Sequence, residues 1–201
     1  MEEKVVVVYK FEELSKDVQD KVVEWIGDKE DLSVFEEGIM ENLRYNFPNS
    51  DMKVQYSLTH SQGDGVNIYG DLLVSDALNW EALKGKFTEG QVAKLLDYAD
   101  EYKDKMFVSK NYGYAYCIAD TISYADDLIV AMEEAGIEDI DTYLIEKFEN
   151  HLIMAIKDLC NLYESQGYEE IDYHYTRDFV AEECEANDYR FLADGRLVDF
   201  L

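Results

Sequence analysis

Between residues 111 and 146 the chain has no Lys or Arg, yet Asp120, Asp126, Asp127, Glu133, Glu134, Glu138, Asp139, Asp141 and Glu146 fall inside that window. A second base-free stretch, 158–176, is followed by Asp178, Glu182, Glu183 and Glu185. Carboxylates four apart on a helix stand about 5–6 Å from one another at Cβ. Asp97–Glu101, Asp100–Asp104 and Asp178–Glu182 would therefore form rows spaced comparably to backbone phosphates. Such rows can engage the Lys and Arg of a nucleic-acid-binding protein; a merely solvated face is the other reading of each. Like charges so placed cost a few tenths of a kcal/mol per pair, roughly, a cost that a cationic partner would offset. Tyr112, Tyr114, Tyr116 and Tyr124 flank the first window, and Tyr163, Tyr168, Tyr173 and Tyr175 lie in or beside the second. A tyrosine supplies broad contact area with a polar tip, which suits an interface, although packing in the core accounts for many of them.

Catalytic chemistry finds little support. The adjacent Asp126 and Asp127 could hold magnesium for phosphoryl chemistry, but among 45 acids neighbouring carboxylates are expected from composition alone. His60, Ser61 and Asp64 have the residue types of a hydrolase triad, yet neighbours on one hairpin do not converge as a triad must. No Gly-Lys-Ser/Thr loop, no GxGxxG after a strand and no GxSxG elbow occurs. Cys117, Cys160 and Cys184 are widely spaced, as are His60, His151 and His174, so neither a disulfide framework nor a local metal signature is legible. The expectation is a non-enzymatic chain without a cofactor.

The formal net charge of −27 on 201 residues sharpens that expectation. So acidic a body repels nucleic acid and anionic membranes and is steered onto basic surfaces. Acids outnumber bases in every third of the chain, so the imbalance belongs to the folded body rather than to an acidic tail. Sixteen Tyr, nine Phe and 47% hydrophobic residues are enough to fill a core. No basic, apolar leader and no apolar run of roughly 20 residues is present, so the expected location is the cytoplasm, without membrane contact.

These residues need elements to position them. The β-branched run at 5–11 predicts an opening strand, and Ser15 a cap for an amphipathic helix ending near Gly27. A helix over 32–45, closed by Pro48, precedes alternation at 51–59 and again at 66–74. Between them Ser61-Gln62-Gly63-Asp64-Gly65 predicts a hairpin turn, with a ligand-binding loop as the sharper alternative. Helices are predicted over 75–84, 88–105, 120–135, 139–166 and 176–187, with an extended segment at 107–118 and a terminal hairpin around Gly195. In the 139–166 helix, Ile140, Leu144, Phe148, Leu152, Ile156, Leu159 and Tyr163 form one apolar stripe. The fold class read from this order is α+β, a small antiparallel sheet packed against several helices, with a helix-rich second half. One compact domain, 1–201, is expected, with a subdivision into 1–74 and 75–201 as its variant.

Three segments, Phe11-Glu12-Glu13-Leu14-Ser15, the Ser61-to-Gly65 pentapeptide and the run from Glu185 through Tyr189-Arg190-Phe191 to Asp194-Gly195-Arg196, resemble a family of small bacteriophage and prophage proteins. Members of that family are often labelled antitoxins of toxin–antitoxin systems. The resemblance implies a mobile-element origin and an accessory role in the host cytoplasm, and it assigns no catalytic residue. Joined to the charge, it leads to the expectation of an inhibitor of a host defence nuclease, of the anti-restriction or anti-CRISPR kind, whose acids take the place of phosphates. An antitoxin covering a basic toxin and a metal-dependent hydrolase are the alternatives. The expected partner is a basic nucleic-acid-binding host protein, and no direct nucleic-acid binding is expected.

Overall fold

The segments predicted as strands at 51–59 and 66–74 pair antiparallel, with Met52, Val54 and Tyr56 opposite Gly70, Ile68 and Val66. A computed structural model describes residues 6–29, 31–60, 63–109 and 122–198. After a 3-10 turn at Phe11–Glu13 come α1 (Lys16–Gly27), α2 (Ser33–Asn46), β1 (Asp51–Ser57), β2 (Gly65–Leu73), α3 (Val74–Asn79) and α4 (Glu89–Glu101). They are followed by β3 (Lys105–Val108), α5 (Tyr124–Glu134), α6 (Thr142–His174) and α7 (Arg177–Ala186). The strands form one antiparallel sheet in the order β1-β2-β3. The fold is α+β, with helices dominating the second half.

The chain forms two compact units, one of residues 34–166 and one joining 1–33 with 167–201. This division differs from a boundary after Val74, because β2 pairs across that point with β3. In the unit of residues 34–166, the inward face of the sheet (Met52, Val66, Ile68, Leu72) meets Ile39 and Leu43 of α2, Leu95 of α4, Leu128 of α5 and Phe148 of α6 in one apolar cluster. Leu144, Phe148, Leu152, Ile156 and Tyr163 of the predicted stripe are buried, with Ile140 and Leu159 partly so. Gly70 is required where it stands: its φ is +129°, and a Cβ there would meet the Asp51 carbonyl oxygen at 2.1 Å. In the unit built from the two ends of the chain, Phe11, Leu14, Val22 and Ile26 pack with Val180, Cys184 and Phe191.

Four boundaries depart from the sequence reading, the first being the helix predicted over 75–84, which ends at Asn79 and gives way to turns. The helix predicted over 88–105 stops at Glu101, and Lys105–Val108 becomes β3, because Met106 and Val108 alternate into the core. The helix predicted to end at 166 continues to His174. Among the described residues the opening strand predicted at 5–11 shrinks to a single bridge between Tyr9 and Phe191, and Phe11 to Glu13 turns into the 3-10 helix. Ser15 stands at the N-cap of α1, but its side chain makes no capping bond.

Candidate functional site

The acids of the 111–146 window divide by what the fold does with them. Asp126 and Asp127 occupy the first turn of α5, where the partial positive charge of a helix N-terminus favours them. Glu133 and Glu134 stand in its last turn beside the negative end of the same dipole, with no base there to compensate. The window is not as unneutralised as its sequence reads, because two lysines from earlier in the chain reach into it. Lys103 Nζ lies 2.5 Å from Asp127, and Lys94 Nζ lies 3.1 Å from Asp141. Asp141 also accepts from Leu144 N–H at 3.1 Å, capping α6. The Lys94 ammonium, followed by that backbone bond, holds its carboxyl below the usual aspartate range. Asp126, Glu133, Glu134, Glu138, Asp139 and Glu146 are exposed, and their carboxylates make no hydrogen bond or ion pair among the described residues.

The second group sits on and around α7. Asp178 and Glu182 are exposed one turn apart, as the spacing required, and Glu185 is exposed beyond them. Glu183 is half-buried and accepts from Asn187 Nδ2 at 2.5 Å. The half-exposed Tyr173 donates to Glu182 at 3.5 Å, and Glu182, with Asp178 and Glu170 further off, pushes its phenol pKa up. No base stands in the last turn of α7. On α4, Asp97 and Glu101 are exposed on one helix, but Asp104 lies past its end, so the Asp100–Asp104 row does not form as a helical pair.

Asp120, Tyr112, Tyr114 and Tyr116 lie outside the described residues, as do Ser61, Gln62 and Cys117. Two other tyrosines belong to the interior. Tyr124 is buried and donates to the Lys103 carbonyl at 3.0 Å, and burial pushes its pKa far up. Tyr163 is buried and donates to Asn42 Oδ1 at 2.6 Å.

In the hairpin the turn reading has internal support. Asp64 is buried, and its carboxylate accepts from Thr59 N–H at 2.5 Å, Thr59 Oγ1 at 3.1 Å and Ser57 Oγ at 3.1 Å. Gly63 beside it has φ of 107°, the conformation the reversal needs. A second buried carboxylate, not singled out by the sequence, is Asp76. It accepts from Asn49 N–H (2.8 Å), Asn49 Nδ2 (2.9 Å) and Ser50 Oγ (2.7 Å), tying the start of β1 to α3.

Among the described residues, no three His, Cys, Asp or Glu side chains are grouped to hold a metal ion, and no helix is long and apolar enough to cross a membrane. Cys160 and Cys184 are buried, and burial pushes both thiols up to about 12. Compared with protein-family models, curated proteins and solved structures, the chain matches none.

Proposed function

We propose that this chain is a non-enzymatic, phage-encoded inhibitor that acts in the host cytoplasm by occupying the basic nucleic-acid channel of a defence nuclease. One observation carries the proposal. Carboxylates stand without any base in the last turns of α5 and α7, exposed at Glu133, Glu134 and Glu185, where the helix dipole disfavours them. An acid needed only for solubility is as useful at a helix N-terminus, where it stabilises. Acids retained at the wrong end are accounted for by a cationic partner that neutralises them. Lys and Arg side chains that grip phosphate would meet these carboxylates instead, and the bound counterions would be released as they are from DNA.

The test is capture from host lysate at low and high salt, with the captured nuclease then purified and its binding measured directly. Reversal of Asp126, Asp127, Glu133 and Glu134 to Lys should abolish binding while circular dichroism stays unchanged. If the quadruple variant binds as the parent does, α5 is not the interface, and the same reversal at Asp178, Glu182, Glu183 and Glu185 decides for α7. Affinity that is indifferent to salt ends the proposal.

A further inference from the structure

Among the described residues β1 is an outermost strand of the sheet, and its seven residues pair one to one with β2 without a bulge. Alternate residues of an antiparallel strand turn their N–H and C=O groups to opposite edges, so every second residue of β1 presents both away from β2. Among the described residues, the backbone of Asp51 to Val54 makes no hydrogen bond beyond that ladder. Proteins blunt such an edge by keeping the strand short, by a proline, by a bulge or by a charged side chain. β1 has none of the first three, and its one base, Lys53, is engaged by Asp51 at 3.1 Å. Asp51 and Lys53 are exposed and Val54 is half-buried, so the strand is within reach from outside.

The same strand lies in an acid-poor part of the chain. From residue 42 to residue 63 the sequence carries one acid, Asp51, against two bases, Arg44 and Lys53. Of the acids elsewhere, Asp71 stands opposite Asp51 on β2, Glu36 of α2 accepts from the Tyr56 hydroxyl at 3.2 Å, and Asp64 is buried and bonded within the hairpin. A body of net charge −27 repels a second copy of itself, and that repulsion is least where two acid-poor surfaces meet. A basic partner is drawn instead to α5 and α7, whose last turns hold carboxylates and no base.

We infer that the open edge of β1 receives the β1 edge of a second copy of this chain, antiparallel about a two-fold axis at Val54, so that the two sheets become continuous. This register overlaps the whole strand. It sets Lys53 opposite Gln55, Asp51 opposite Ser57 and Met52 opposite Tyr56 of the other copy, so each charge faces an uncharged polar side chain and no like charges stand directly opposed. One pair of strands buries little area, so the dimer is weak, and its strength follows the screening between the two acidic bodies. Salt therefore strengthens this contact while it weakens capture of a basic partner. The inference goes beyond the acidic-surface reading, and neither rests on the other.

Sedimentation velocity of the full chain over a range of concentrations tests it. The association constant of the dimer should rise by about tenfold or more between about 0.05 and about 0.5 M sodium chloride. Lys53→Glu and Lys16→Glu change the net charge equally, but Lys53 lies on the edge, whereas Lys16 is exposed at the start of α1 in the other unit. At high salt Lys53→Glu should weaken the dimer by about tenfold or more, because acids then stand at 51 and 53 on both copies, and Lys16→Glu should dimerise as the parent does. Amide exchange of the parent, followed by NMR at high salt, needs no variant: it should slow with rising concentration at alternate residues of β1, those turned away from β2. A chain that stays monomeric at high salt, equal dimerisation by the two variants, or slowing that spares β1 overturns the inference. Each of these results leaves capture by α5 and α7 to its own test, which reads binding of a purified nuclease and not self-association.

Discussion

Asp64 and Asp76 have side chains that the structure uses internally, whereas the acids of α5 and α7 are held at the surface, and a substitution at each kind reads out differently. Asp76 is buried and accepts three hydrogen bonds. Asp76→Ala removes the buried acceptor that ties the exposed Asn49 and the half-buried Ser50 to α3, and should cost about 1–2 kcal/mol in urea unfolding. A loss below about 0.5 kcal/mol would mean that those donors find water instead. Asp141 permits a finer separation, because it both caps α6 and pairs with Lys94. Asp141→Asn keeps a capping oxygen and loses the charge, while Asp141→Ala loses both and should be the worse by about 1 kcal/mol. The folded carboxyl of Asp141 is depressed, so its contribution is present above the unfolded aspartate value and disappears as pH falls through the folded one. The gap between parent and Asn variant should therefore close on acidification below the ordinary aspartate range, and acid-unfolding curves of the two check it.

Elements were legible where a period ran uninterrupted and opaque where distant residues decided the outcome. The pairing of β1 with β2 followed from alternation on either side of a turn, and the buried stripe of α6 from helical spacing. β3 was legible only at Phe107 and Val108, inside the extended segment expected at 107–118, because four residues carry too little pattern and Met106 and Val108 owe their strand to β2 rather than to their neighbours. The two lysines that enter the acidic window were invisible for a related reason: Lys103 and Lys94 pair over separations of 24 and 47 residues. What composition could supply was the acidic content of α5 and α7; which acids stand at which helix end required the boundaries. That placement yields a prediction about the element itself. Replacing Glu133 and Glu134 by Lys puts cations at the negative end of α5, which should raise stability by about 0.3–1 kcal/mol per residue. The same change should remove binding to the partner. A variant that is both less stable and fully competent to bind would contradict the assignment of these residues to function rather than to the fold.

For the molecule as a whole, the excess of 45 acids over 18 bases makes salt act in opposite directions on folding and on binding. The folded chain gathers its carboxylates into a smaller volume than the unfolded chain, so self-repulsion opposes folding, and screening relieves it. The Debye length falls from about 30 Å at about 0.01 M to about 8 Å at about 0.15 M, short enough to uncouple charges on different elements. The midpoint of thermal unfolding should therefore rise as sodium chloride is added to a dilute buffer, and most of the rise should come by physiological ionic strength. Affinity for a basic partner should move the other way, falling by about tenfold or more from about 0.05 to about 0.5 M salt, because counterions are released when the surfaces meet. The pair of measurements separates the sources of the effect. Weakened binding with a falling midpoint would mean that salt was unfolding the chain, and only a rising midpoint with weakened binding assigns the loss to the acidic interface.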